Sequence, residues 1–295
     1  MTTVHIPVLL KEVIEGLRLR KGDIVVDGTL NAGGHSKKIL EAIEKEGTLV
    51  GIDADPEAIK RAEERLGHFQ TRVYYVNDNF RNLGSILDSL KIDKVNAVLL
   101  DLGMSSDQLE SGRGFSFQKD EPLIMTFGDS SRFSAKEIVN NWSEESIADV
   151  IWGYGGERYA RRIAHELVSA RENREVKTSG ELVEIVRRAL PKRALNKKIH
   201  FATKTFQALR ITANDELGAL RDVLPQIVQR LMAGGRVAAI TFHSLEDRIV
   251  KQFFKEEVRA GRMILVNRKP IYPSPEEVKE NARSRSAKLR IAEKI

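Results

Sequence analysis

The stretch Ile24-Val25-Val26-Asp27-Gly28-Thr29-Leu30-Asn31-Ala32-Gly33-Gly34-His35 constrains the fold more than any other part of the chain. Ile24, Val25 and Val26 form the continuous β-branched run of a buried parallel strand. Small residues from Asn31 to Gly34 make a loop, and Ile39, Leu40 and Ile43 then give the apolar stripe of a helix. Strand, glycine loop and helix are the opening half of a nucleotide-type βαβ unit. A second strand, Thr48 to Ile52, ends in Asp53, about 20 residues beyond the loop, where a carboxylate can take ribose hydroxyls. Turn-making glycines or a helix-capping acid would explain either feature alone. Together they point to a nucleoside cofactor. The loop is not G-x-G-x-x-G, and Asp27 ends the first strand where nicotinamide folds place a glycine for the pyrophosphate. S-adenosylmethionine has no pyrophosphate and carries a cationic sulfonium and amino group, which an acid attracts. The loop therefore favours a methyl donor.

The α/β rhythm continues on both sides of a long interruption. A short amphipathic helix over residues 8–17 precedes the first strand, and Pro56 opens a helix through Leu66. Val73 to Val76 and Ala97 to Leu100 read as the third and fourth strands. Asp27, Asp53, Asp78 and Asp101 thus all fall at carboxyl ends of strands, where a doubly wound sheet collects its ligands. Phe80, just past the third strand, is placed either for the core or beside an adenine ring. Residues 103–133 break the rhythm with a loop bearing Arg113, Phe115, Phe117 and Gln108, a length that favours function. From Ser134 to about Lys198 the pattern is helical, opened by a Ser134/Glu137 capping box. A long helical pattern is expected from Phe206 to Met232, broken or bent near Pro225. A strand from Val237 to Phe242 follows the Gly234-Gly235 turn and ends at His243-Ser244, and two short strands close the chain. The expected division is a core in two parts, residues 1–112 and 205–295, around a loop and small all-helical insertion over 113–204.

Composition excludes several chemistries. The 295 residues contain no cysteine, which removes disulfides, thiolate metal sites, cysteine-held clusters and any cysteine nucleophile, including one that attacks a pyrimidine ring carbon. Six histidines show no H-x-x-x-H spacing, so no metal site is expected. His243-Ser244 has neither triad order nor a G-x-S-x-G elbow, and a substrate contact or local hydrogen bond suits it better. His35 at the helix start is placed for a local hydrogen bond or for ligand. No apolar run reaches the roughly 20 residues that span a bilayer. The start lacks the regions of a signal peptide, so a cytoplasmic location and no membrane partner are expected. Residues 158–204 hold 13 Lys/Arg against 5 Glu and residues 259–295 hold 10 against 4, which leaves −8 for the rest of a chain of net charge +6. Two basic segments on an acidic remainder suit a polyanion such as nucleic acid, or equally two solvated basic faces.

The motifs resemble the bacterial 16S rRNA cytosine-N4 methyltransferases of the RsmH/MraW family. The resemblance is carried by His5-Ile6-Pro7-Val8-Leu9, Asp27-Gly28-Thr29 with Gly33-Gly34-His35-Ser36, and Asp101-Leu102-Gly103-Met104-Ser105-Ser106-Asp107-Gln108-Leu109. Arg113-Gly114-Phe115-Ser116-Phe117, the run Phe201 to Ile211, Phe242-His243-Ser244-Leu245-Glu246-Asp247-Arg248 and Arg283 to Arg290 extend it over nearly the whole chain in order. It implies a class I S-adenosylmethionine-dependent fold, a Rossmann-like doubly wound sheet with an inserted helical domain that helps to hold RNA. It implies a cytosine in the decoding centre of 16S rRNA, within the small ribosomal subunit, as methyl acceptor. Carried over by position, Gly33, Gly34, His35, Asp53, Phe80, Asp101 and Gln108 would bind the cofactor. Arg113, Phe115, His243 and Ser244 are the substrate-side candidates, and Asp101 is the one candidate for the catalytic acceptor. The oligomeric state is left open, a homodimer being one option.

Two departures stand out. Asn31 replaces a further glycine, and asparagine best tolerates a left-handed backbone there. Ile124-Met125-Thr126-Phe127 stands where the family usually reads Asp-Met-Arg-Met, which puts substrate contacts in question. Two rivals follow: a nicotinamide oxidoreductase, disfavoured by Asp27 and the loop, and a non-catalytic rRNA-binding assembly factor that keeps the fold.

Overall fold

A computed structural model describes residues 7–128, 133–195 and 199–295. The chain forms two compact units, Met1–Gly103 with Leu217–Ile295, and Met104–Glu216. In the first, α1 (Leu10–Leu17), β1 (Ile24–Asp27), α2 (Gly34–Ile43), β2 (Thr48–Asp53), α3 (Pro56–Leu66), β3 (Arg72–Asn77), α4 (Leu83–Ser89) and β4 (Val95–Asp101) alternate as the periodicity predicts. The Asp55 side chain caps α3 by accepting from the Glu57 N–H, with Pro56 in the first turn, where its missing N–H costs nothing.

The second unit comprises α5 (Ser106–Leu109), α6 (Ala135–Asn141), α7 (Glu144–Gly155), α8 (Ala160–Asn173), α9 (Ser179–Ala189), α10 (Lys192–Leu195) and α11 (Thr203–Asn214). Its core is made of Ile138, Ile151, Ile163, Leu167, Leu182 and Phe206 with their neighbours. The capping box at Ser134/Glu137 is present, and unforeseen ones at Ser105/Gln108 and Thr178/Glu181 open α5 and α9. The helical unit runs from 104 to 216, whereas the sequence pattern suggested 113–204. Met104 and Leu109 pack at its near end, and α11 buries Phe206, Leu209 and Ala213 in the helical core.

The chain then returns through α12 (Glu216–Arg230), β5 (Leu231–Thr241), α13 (Ser244–Arg259), β6 (Met263–Leu265), α14 (Pro275–Glu280) and β7 (Lys288–Lys294). The long helical pattern from Phe206 to Met232 breaks earlier than Pro225, into two helices. They part at Asp215, which takes a left-handed φ of 46°, while Pro225 sits inside α12. Arg210 and Glu216 brace that corner with paired contacts of 2.7 and 2.9 Å. A left-handed residue reverses the chain, whereas a proline only forfeits one backbone hydrogen bond. β5 starts at Leu231, ahead of the glycine pair, with an irregular register where it meets β4.

The sheet order is β3-β2-β1-β4-β5-β7-β6. The first five strands are parallel, and β7 lies antiparallel between β5 and β6, with Ile240 opposite Leu289. One apolar cluster packs α4, α12 and α13 on one face, and the other packs α1, α2 and α3 on the opposite face. Both faces are therefore covered, as the unbroken apolar strands require. The order reverses between β1 and β4, so their carboxyl ends frame the crevice of a doubly wound sheet. Among the described residues no helix is long and apolar enough to cross a membrane.

Candidate functional site

Three aspartates meet at the carboxyl end of the first unit's sheet. Asp27 ends β1, Asp53 ends β2 and Asp101 ends β4. All are buried: Asp27 is 1% exposed and the other two 8%. The loop between them is tied to both neighbouring strands, as Gly28 N–H donates to the Leu99 carbonyl and Leu30 N–H to the Ile52 carbonyl, each at 2.9 Å. Asn31 takes the left-handed conformation expected of it, with φ 48°. Gly33 also lies at positive φ, and a Cβ there would meet Leu66 at 2.8 Å; one on Gly34 would meet Pro7 at 2.6 Å. Both glycines are thus required by backbone shape and close packing, independently of any ligand.

The three acids are partnered differently. Asp27 accepts from the Ser36 hydroxyl at 2.7 Å and the Thr29 N–H at 3.2 Å. One hydrogen bond reaches each of its oxygens, so Asp27 ties the loop to the first turn of α2. Asp53 accepts two backbone N–H groups, from Asn31 at 2.8 Å and Asp55 at 2.9 Å. Each oxygen retains a second lone pair for a hydroxyl. Asp101 faces the His35 Nδ1 through Oδ2 at 3.5 Å, while its Oδ1 is buried and has no hydrogen-bond partner among the described residues. A buried acceptor left unmade costs about 1–3 kcal/mol, more when charged, so this oxygen can take a further donor.

Burial pushes the Asp27 and Asp53 carboxyls up to about 6 against their hydrogen bonds. Asp101 is driven well above the ordinary carboxyl range by burial first, then by the charges of Asp27 and Glu246. Among the described residues no lysine or arginine pairs with any of the three. A buried group of acids without a compensating base attracts a cation or shares protons.

His35 is 5% exposed, and its Nε2 lies 2.9 Å from the Val8 carbonyl. With Nδ1 toward Asp101, its ring spans two protein groups, so the side chain supports the site rather than pointing outward. Phe80 opens a short 3-10 turn and packs half-buried against the sheet core. Asn79 caps that turn by accepting from Arg81 N–H, and Asp78 before it accepts from Asn79 N–H and Asn82 Nδ2, so turn chemistry accounts for Asp78. His243 is the N-cap of α13 in a reciprocal capping box with Glu246, and Ser244 is exposed in its first turn.

Within the second unit, Ser105 and Gln108 form the capping box of α5, with Gln108 4% exposed and its Oε1 accepting the Ser105 N–H. Arg113 donates to the Thr126 and Phe127 carbonyls at 3.1 and 2.9 Å and lies 5.5 Å from the Phe115 ring centre. Phe115 is 5% exposed and stacks on Phe127 at 5.5 Å. A ring held so deeply offers no open face to a base. Arg113 and Phe115, expected to meet substrate, here fix the shape of the loop. Asn214 helps them, donating to the Met125 carbonyl and accepting from the Phe127 N–H.

Sequence reasoning missed Thr29, Ser36 and Glu246. The Thr29 hydroxyl accepts from the Asp101 N–H at 2.6 Å, Ser36 holds Asp27, and the Glu246 charge acts on Asp101. The first two stand beside the glycines and were legible as loop hydroxyls. Glu246 lies far along the chain and is brought near only by the fold.

The model of the MraW methylase family matches residues 2–295. The Ribosomal RNA small subunit methyltransferase H of Clostridium botulinum (strain Loch Maree / Type A3) is 45% identical over 307 residues, 99% of each chain. That of Brevibacillus brevis is 42% identical over 314 residues, covering both chains fully. A solved protein from Clostridium thermocellum, 14% identical, covers 99% of this chain and 100% of its own at a TM-score of 0.50, a likeness of fold alone.

Proposed function

The chain belongs to the MraW methylase family, and from that premise we propose that it transfers a methyl group from S-adenosylmethionine to the exocyclic N4 of a cytosine in the decoding centre of 16S rRNA. The observation that carries the donor half of this reading is the buried Asp101 Oδ1 at the carboxyl end of β4, without a partner among the described residues. A cationic donor molecule fits an acidic crevice with a vacant acceptor, and a dinucleotide pyrophosphate does not. Relatives named as small-subunit rRNA methyltransferases support the RNA as acceptor, and the cytosine N4 rests on the resemblance of the motifs.

S-adenosylmethionine supplies an electrophilic methyl group on a sulfonium. The chain's residues would bind and orient it. Asp53 accepts the ribose hydroxyls with its remaining lone pairs. Asp101 accepts from the cationic part, its carboxyl fixed by His35 and by the Thr29 hydroxyl on its backbone. Gly33, Gly34 and the His35 backbone open α2, an end that favours a carboxylate. Phe80 is assigned to the adenine, and Gln108 to the donor by its place in the motif. The cytosine amino group is a weak nucleophile, so in-line placement against the methyl is the main source of rate. The base leaves its stack to reach the crevice. With Asp101 committed to the donor, the amino proton passes to water or to the RNA.

Small ribosomal subunits lacking the modification, incubated with labelled S-adenosylmethionine and then digested, test this directly. Label in N4-methylcytidine is the expected result. Tight donor binding with no transfer would leave the assembly-factor reading and direct attention to Ile124 and Thr126. Ile124 is 38% exposed, and the backbone of this segment is pinned by Arg113 and Asn214 rather than by either side chain.

A further inference from the structure

The second unit carries a surface cleft that none of the motifs explains. It has a volume of about 350 Å³ and lies where the last turns of α7 meet the first turn of α8. Its apolar wall is Trp152, 61% exposed although it sits on a well-packed helix. Ile151 beside it is fully buried, so the helix is fixed and the indole projects from a rigid base. The opposite wall is cationic. Arg158 lies 4.6 Å from the Tyr159 ring centre and donates to its hydroxyl at 2.7 Å, and Arg193 from α10 reaches the same hydroxyl. Arg161 and Arg162, both exposed, make no hydrogen bond or ion pair among the described residues. Asp149 is the one acid among the lining side chains.

The corner itself is rigid. Gly156 ends α7 in a left-handed cap, and Lys204 of α11 donates to its carbonyl at 2.7 Å. A Cβ on Gly155 would come within 2.4 Å of the Lys204 carbonyl, so α7 and α11 meet backbone to backbone. The cleft is therefore preformed, with an exposed π-face on one side and unneutralised guanidinium groups on the other.

We infer that this cleft binds single-stranded RNA, one base stacking on Trp152 while Arg161 and Arg162 hold adjoining phosphates. The inference rests on the proposed function, since it names a contact for that RNA outside the three-aspartate site. Charge complementarity selects the occupant. Three arginines against one aspartate suit a polyanion, and an indole face accepts any base without demanding sequence. Asp149 can accept from an exocyclic amino group at the rim.

The chain has two tryptophans, Trp142 and Trp152, so W142F leaves Trp152 as the sole indole emitter. Titrating that variant with a short single-stranded oligoribonucleotide is expected to quench its emission. In the full-length chain W152A should weaken the same oligoribonucleotide by roughly 5- to 150-fold, as loss of a stacked base does, while W152F retains most of the affinity. R161A/R162A should lower the slope of log affinity against log salt by about 0.7 per arginine. Trp152 emission that RNA leaves unmoved, with W152A binding as tightly as the parent, overturns the proposal. So does a response to RNA-free small-subunit proteins in place of RNA. Methyl transfer to small subunits, measured in parallel, separates the two readings. Transfer without an effect of W152A sinks this cleft alone, and Trp152 quenching without any transfer sinks the methyltransferase reading alone.

Discussion

The two units handle charge in opposite ways. The sheet unit buries three carboxylates among apolar strands and leaves one oxygen unsatisfied. The helical unit buries a mostly apolar core and keeps Arg158, Arg161 and Arg162 exposed at its surface. A small cationic ligand needs a preorganised, desolvated partner, because only burial makes one hydrogen bond worth several kcal/mol. A polyanion is held by many weak, solvated contacts spread over a surface. The contrast explains why the functional side chains of the first unit are costly to keep folded and those of the second cost almost nothing.

Substitutions test that contrast most sharply where the two units differ most. Phe115→Ala in the helical unit should lose about 3–5 kcal/mol of stability in denaturant melts, as a buried aromatic does. A stable F115A protein with weakened RNA binding would show instead that the ring serves substrate. Asp101→Ala should do the reverse in the sheet unit. Donor affinity by calorimetry falls by about 2–4 kcal/mol, while the melting temperature holds or rises because an unpaired buried acid has gone. A large loss of stability in D101A would mean that Asp101 is structural.

The pH dependence of stability is a smaller effect. For Asp27 the folded value of about 6 exceeds the unfolded one near 3.8. The folded state therefore binds more protons in that window, and stability falls as pH rises from 4 to 6, by at most about 1.4 kcal/mol per unit from this group. Asp27→Asn should remove that share, seen as a flatter profile between pH 4 and 6, with Asp53 still contributing its own. An unchanged slope would mean that Asp27 is not protonated in the folded state. The smallest expected effect is at the surface. Lys21→Ala breaks ion pairs with Glu44 and Glu46 whose groups are all about half exposed, and the melting temperature in moderate salt should stay unchanged.

Much of the sheet unit was legible before any coordinates. Ile24 to Val26, Thr48 to Ile52 and Ala97 to Leu100 are apolar on both faces, and only a covered parallel sheet accommodates that. The aspartates at their ends were visible for the same reason, since a strand end after an apolar run is a fixed place in a doubly wound fold. The helical unit was legible as helices but not in its limits. Whether α11 belongs to one core or the other depends on which apolar surface its Phe206 and Leu209 meet, and periodicity says only that such a face exists. The break at Asp215 carried no proline or glycine to announce it.

The amino-acid sequence by itself determined the element types, the parallel core, the glycine loop with its left-handed Asn31 and the family, because local periodicity, backbone sterics and motif order are properties of the chain alone. The tertiary structure decided what each side chain has left to offer. It tied Asp27 to Ser36 and Thr29, turned His35 toward Val8 and Asp101, sank Phe115 into the core, and left Asp101 Oδ1 and the Trp152 face open among the described residues. Burial and partnering are sums over neighbours distant in sequence, so no local pattern encodes them.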